Sequence, residues 1–177
     1  MSEGRNALAK HAAGRLAPGE ENASGEELLT FELGSVRYAL PLSCVREIVR
    51  LPEVTEVPRA PYEVLGVISV RGAVSTVVDL RRKLQLEMAP LTGKSRVLLV
   101  DQGREVIGLL VDAVLQVCRL RPEEIELSSV LGADAPAYLS GIGRPSVKSE
   151  DGRRVAPRAA DPDEILLLLD PSVLLRF

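Results

Sequence analysis

Beyond Leu29 the apolar residues come in short bursts that Gly, Pro or charged pairs cut off, and the longest wholly aliphatic one is residues 165–169. Neither a long core helix nor a membrane span, which requires about 20 apolar residues, can be assembled from such pieces. The bursts alternate instead with period two, which puts every second side chain on one face of a strand. Leu29, Phe31 and Leu33 alternate with Thr30 and Glu32; Gly34-Ser35 intervenes; then Val36, Tyr38 and Leu40 alternate with Arg37 and Ala39. Two such runs around a Gly-X pair predict a β-hairpin with a type II′ turn.

The same design recurs along the chain. Pro41 followed by Leu42 and Val45 predicts a short helical turn over 42–46, passing into a strand at 47–50. Pro52, Pro58 and Pro61 restrict 54–57 to a short or edge segment. Residues 66–70 and 73–78 flank Arg71-Gly72, a second hairpin in which Gly72 is free to take positive φ. Asp79 is placed to cap a short helix over 80–84. After a link at 87–95, residues 97–100 and 106–111 form a third hairpin, 112–117 a further strand, and 121–125 a helical turn opened by Pro122. Residues 138–143 and 164–169 read as paired strands around a polar stretch, 144–163, expected to be a mobile loop. Asp170-Pro171 caps a last short helix. Many short strands with Gly and Pro turns predict an all-β fold of small barrels, divided into two five-stranded lobes, about 28–86 and about 95–175.

Composition narrows the function. The 25 acidic residues outnumber 22 basic ones, for a net charge of −3, which argues against a nucleic-acid binder; so does the 3% aromatic content, too little for base stacking. The one histidine is His11, and Cys44 and Cys118 form no CxxC, so zinc sites and histidine-based triads have no material and no cofactor is expected. The two thiols suit reduced, small buried hydrophobes in a cytoplasmic protein. Residues 1–27 contain no Val, Ile, Phe or Tyr and read as a flexible tail ahead of a domain at 28–177.

In order, Leu29-Thr30-Phe31-Glu32-Leu33-Gly34, Val45-Arg46-Glu47-Ile48, Gly66-Val67-Ile68-Ser69-Val70-Arg71-Gly72, Val77-Val78-Asp79-Leu80-Arg81, Gly108-Leu109-Leu110-Val111-Asp112-Ala113-Val114 and Tyr138-Leu139-Ser140-Gly141-Ile142-Gly143 resemble the CheW family, the coupling proteins of bacterial chemotaxis-type signalling. Three departures stand out: Ser69-Val70-Arg71-Gly72 replaces the family's usual Asn-Leu-Arg-Gly, Thr76 occupies a position typically Pro, and the 144–163 stretch is longer. The resemblance implies two intertwined five-stranded SH3-like β-barrel lobes with a few short helices. It also implies a non-catalytic adaptor, in the cytoplasm and recruited to receptor arrays without membrane insertion. Its partners would be the cytoplasmic tip of a chemoreceptor and the regulatory domain of a CheA-type histidine kinase, with CheW–CheW ring contacts also possible in the family.

Arg71 stands first among candidate site residues, because a guanidinium at a hairpin tip reaches a neighbouring surface with five fixed donors. The resemblance places it in a receptor groove with Leu42, Val45, Glu47 and Val74, although Leu42 and Val45 also suit a core. Kinase contacts fall on Val54, Thr55, Glu56 and Val57 and on Val114 and Val117, read as turn regions of the two lobes. Gly66, Gly72, Asp79 and Asp112 are assigned structural turn roles, the two carboxylates satisfying backbone N–H groups. The charges of Arg81-Arg82-Lys83 read as a solvated helix face. Two competing functions remain: a small carboxylate- or Lys-dependent enzyme, which would show a deep polar pocket, and an SH3-like nucleic-acid module.

Overall fold

The computed structural model describes residues 25–127, 132, 135–148, 154–155 and 165–176; His11 and much of 144–163 lie outside them. The first hairpin joins β1 (Glu26–Leu33) to β2 (Val36–Pro41), with Leu33 opposite Val36. Of its two linking residues only Gly34 has positive φ, +65°, as a II′ turn requires. A 3-10 turn, Leu42–Cys44, leads into β3 (Val45–Val49). The second hairpin is β4 (Val64–Val70) with β5 (Ala73–Asp79), followed by the one-turn helix α1 (Leu80–Lys83). Strands β6 (Arg96–Asp101) and β7 (Val106–Val111) make the third hairpin, and β8 (Ala113–Leu120) follows directly. A second 3-10 turn, Pro122–Glu124, precedes β9 (Ile125–Leu127) and β10 (Leu139–Gly143). Within 144–163, expected as one loop, β11 (Val147–Lys148) pairs with β12 (Arg154–Val155). The chain ends in β13 (Leu166–Leu169) and α2 (Pro171–Leu174), capped by Asp170.

Apart from the two-stranded β11–β12 ribbon, these strands form two sheets, the two SH3-like lobes. Sheet I has six strands in the order β8-β1-β2-β13-β10-β9, and sheet II has five, β3-β6-β7-β5-β4. Sheet II comes from one continuous stretch, 45–111, nested between the two stretches that supply sheet I. The expected division near 84–95 therefore does not separate the sheets. That link is a crossover, because it carries the chain from β5 past β7, which lies parallel to β5 with Thr76 opposite Ile107 and Val78 opposite Leu109, to β6 on the far side. A tight turn joins only adjacent antiparallel strands, so a longer segment must span the intervening one. Likewise β1 and β2, assigned from the sequence to the first lobe, share a sheet with β13, which lies parallel to β2 with Leu167 opposite Tyr38.

Strand alternation sorts the side chains into three cores. Val97 and Leu99 of β6 enter the interior of sheet II with Ile68, Val77 and Leu110, whereas Leu98 and Val100 point the other way. Those two join Leu29, Phe31, Leu33, Tyr38, Leu40, Ile107 and Leu109 in a cluster shared by both sheets. A third, smaller cluster of Leu28, Ala39, Leu120, Leu166 and Leu168 fills sheet I. Strands buried on both faces read as unbroken apolar runs, which explains 97–100 and 166–169. Each fully buried Leu contributes on the order of 1.5–3 kcal/mol, so the shared cluster binds the two lobes into one packed unit.

Gly66, expected at a turn, instead lies inside β4 at a register shift between Val64 and Gly66. Its φ is +146°, and a Cβ there would run into the Thr55 carbonyl. Only glycine lets the 50–61 segment approach β4 closely enough for the paired bonds Thr55 N–Val67 O (2.9 Å) and Val67 N–Thr55 O (2.8 Å).

Candidate functional site

The tip of the β4–β5 hairpin is a two-residue turn in which both residues have positive φ, Arg71 at +53° and Gly72 at +84°. That is a type I′ turn, whose twist matches the flanking strands. Asn or Gly is preferred at its first position, and an arginine there is held in a well that disfavours it. Arg71 is 80% exposed, and its Nη2 donates to Glu47 Oε1 at 2.7 Å across the gap between the two edge strands of sheet II. Two residues 24 apart in sequence are thus brought into one ion pair.

The other groove candidates follow from register, since residues directly opposite in a ladder project to the same face. Ile48 lies opposite Leu98, and Val45 opposite Val100, both in the inter-lobe cluster. Val74 shares strand parity with Val78, which also belongs to that cluster. Val45 and Leu42 are half-buried against the cluster, while Ile48 is 41% and Val74 72% exposed. The apolar side of sheet II that is core near the middle of the molecule is therefore open to solvent beside Arg71.

Asp79 caps α1, accepting from the backbone N–H of Arg81 at 2.9 Å and of Arg82 at 3.4 Å. Asp112 sits where β7 passes into β8. Its Oδ2 accepts from Gly34 N at 2.7 Å, and its carboxylate takes a bidentate pair from Arg81, with Nε–Oδ1 at 2.9 Å. Arg81 is only 12% exposed and also donates to the Glu87 carbonyl. Its hydrogen bonds hold the Asp112 carboxyl below the usual carboxylate range. The reading of 81–83 as a solvated face is thus corrected: Arg81 ties a lobe junction, Arg82 lies 5.1 Å over the Tyr62 ring, and Lys83 pairs with Glu63 at 3.1 Å. Consecutive residues on a single helical turn point in different directions, so each of the three cations finds its own partner instead of sharing one solvated face.

The two segments expected to meet a kinase do not lie on one sheet. Thr55, Glu56 and Val57 are exposed along the edge of sheet II, and Val54 is half-buried in that lobe's interior. Val114 and Val117 belong to β8 of sheet I, opposite Phe31 and Leu29, so 114–117 is strand rather than turn. Val114 packs against the inter-lobe cluster.

Residues 27–177 match the family model of the CheW-like domain. The chain belongs to the CheW-like family. It is 34% identical over 110 residues to a chemotaxis protein CheW of Rhizobium meliloti, covering 62% of this chain and 71% of that one. It is also 33% identical over 126 residues to protein FrzA of Myxococcus xanthus, covering 71% and 78% respectively. Its fold resembles the crystal structure of the scaffolding protein TtCheW from Thermoanaerobacter tengcongensis, with a TM-score of 0.70, 23% identity and coverage of 86% and 94%.

Two residues of this CheW-like chain escaped sequence reasoning. Ile48 follows Leu42 and Val45 at a helix-like spacing, and nothing in the sequence says which face of β3 meets the second lobe. Arg81 gave none, because its partner Asp112 is 31 residues away and on a different element. Among the described residues no helix is long and apolar enough to cross a membrane.

Proposed function

We infer that this chain is a non-catalytic signalling adaptor that couples the cytoplasmic tip of a chemoreceptor to the regulatory domain of a CheA-type histidine kinase. Membership of the CheW-like family and relatives named as chemotaxis and scaffolding proteins support the reading. The observation that carries it to residues is Arg71: an exposed guanidinium on a strained turn, beside apolar side chains that extend the inter-lobe core into solvent. Strain of this kind persists where function requires the side chain. Exposed apolar anchors around one charge suit an amphipathic helix laid in a groove. On this reading Arg71, Glu47, Val74, Leu42 and Val45 receive the receptor, and Thr55, Glu56 and Val57 offer the kinase an edge on sheet II. The protein works in the cytoplasm beside receptor arrays, and ring contacts between copies use the same lobe ends.

The test is a bridging experiment. A tagged kinase regulatory domain should retain a soluble receptor-tip fragment on a resin only when this chain is added. Retention that is unchanged by omitting the chain, or absent with it, would sink the adaptor reading.

A further inference from the structure

Where the chain enters β4 and leaves β5 for α1, Tyr62, Glu63, Arg82, Lys83, Gln85 and Leu86 line a cavity of about 410 Å³. None of these residues belongs to the groove around Arg71 or to the 54–57 edge. Asp79 N–H donates to the Glu63 carbonyl at 2.8 Å, which holds the approach to β4 beside the start of α1. The helix then ends in a Schellman motif, with Leu86 N–H donating to the Arg81 carbonyl at 2.8 Å and Gln85 N–H to the Arg82 carbonyl at 3.2 Å. The position after the cap has positive φ and is usually glycine. Here it is Gln85, at +57°, so an exposed side-chain amide reaches the rim of the cavity at a cost in backbone strain.

Arg82 is fixed before any ligand arrives. Its Nη1 donates to the Tyr62 carbonyl at 3.1 Å, its guanidinium carbon lies 5.1 Å from the centre of the Tyr62 ring, and its Nε stands 3.5 Å from Asp79 Oδ2. Nε is closed to solvent and makes no hydrogen bond, which costs stability in a charged group. Nη2 carries no hydrogen bond among the described residues and is left for a partner. Lys83, by contrast, is committed to Glu63 Oε1 at 3.1 Å and to the Arg176 carbonyl at 3.3 Å. Tyr62 is 70% exposed in a chain with only two Phe and three Tyr. A large aromatic ring left in water beside a held guanidinium has the make-up of an interface anchor, since Tyr and Arg dominate such anchors.

We propose that this cavity docks an acidic segment of a partner protein, in which a carboxylate is received by Arg82 Nη2 and a neighbouring apolar side chain covers the Tyr62 ring and Leu86. The charged lining groups, Arg82, Lys83 and Glu63, sum to one positive charge, which matches a single carboxylate, whereas a phosphate dianion would be repelled by Glu63. Because three contacts already hold the guanidinium, little side-chain freedom is lost when the carboxylate binds. The site stands whether or not Arg71 meets a receptor.

A fluorescein-labelled hexapeptide of alternating Glu and Leu, and its counterpart with Gln for Glu, are titrated into the full chain and followed by anisotropy, and amide shifts of isotope-labelled protein map the contact. Expected is binding of the Glu peptide about tenfold tighter than of the Gln peptide, as for one charge-assisted contact, with shifts confined to residues 62–63 and 82–86. Arg82→Gln should weaken binding about tenfold and Tyr62→Ala, at an exposed side chain, about three- to tenfold, thermal melts confirming that both fold. Arg104→Gln, which removes an exposed cation on the turn between β6 and β7, should change nothing. Equal binding of the two peptides, shifts that fall elsewhere, wild-type affinity in Arg82→Gln and Tyr62→Ala, or no binding at millimolar peptide overturns the site. Stronger displacement of the peptide by inorganic phosphate than by acetate at equal ionic strength overturns the carboxylate assignment.

Discussion

Replacing Arg71 with Asn should make the protein more stable and a poorer receptor binder at once. Arg71 occupies the left-handed region at φ +53°. An ordinary L side chain there costs about 1–2 kcal/mol relative to glycine, and Asn, which visits this region readily, recovers much of that. Against the gain stands the ion pair with Glu47, whose arginine end is 80% exposed. Such a pair contributes roughly 0–1 kcal/mol, and the low end applies at this exposure. The net stabilisation is then about 0.5–1 kcal/mol, a rise of roughly 1–4 °C in melting temperature for a chain of this size. Receptor affinity should fall by roughly 10- to 100-fold, the equivalent of one charge-assisted contact worth about 1.5–3 kcal/mol. Arg71→Ala separates the two effects, since alanine loses the same contact but keeps the backbone strain, and should melt close to wild type. Denaturant melts and receptor-fragment titrations on the three proteins decide the matter. An Asn variant that melts below wild type refutes the strain argument; one that binds receptor normally refutes the role of the guanidinium.

Two further outcomes follow from the buried chemistry. Asp112→Asn should destabilise the fold by about 2 kcal/mol at pH 7, less than the 3–5 kcal/mol for breaking a fully buried pair because Asp112 is a third exposed. Because the folded carboxyl titrates below its unfolded value of about 3.9, the stabilisation is complete above that pH and disappears as pH falls through the folded pKa. The melts of wild type and Asp112→Asn should therefore begin to converge below about pH 4 and meet once the pH falls below the folded pKa, and a gap that does not narrow in acid would contradict the assignment. Burial pushes the Cys44 thiol up to about 11 and raises that of Cys118 as well. Both should react with a thiol reagent at pH 7.5 far more slowly than free cysteine until the protein is denatured; a fast native phase would show that one is exposed as thiolate.

Local order was written along the chain. Alternation through Leu29, Phe31 and Leu33, the Gly34-Ser35 and Arg71-Gly72 turns, Asp79 and Asp170 as caps, and Pro122 opening a 3-10 turn all depend on residues within a few positions of one another, and the strands, hairpins and caps appear where those signals stand. The motifs that resemble CheW likewise sit in order, so the family could be named before any coordinates. What no local signal carries is which hairpin neighbours which. A period-two run is equally content in either sheet, and a 16-residue gap between β5 and β6 reads the same as a linker or as a crossover. The nesting of 45–111 within sheet I was settled by burial: only that pairing lets strands apolar on both sides hide one face in a barrel and the other between the lobes. The site followed the same division. The position of Arg71 at a hairpin tip was legible because such a tip is a local feature. Its pairing with Glu47, the face on which Val117 emerges and the clamp of Arg81 on Asp112 join residues from separate strands, turns and helices, and contacts across such distances exist only once the tertiary packing has brought those elements together.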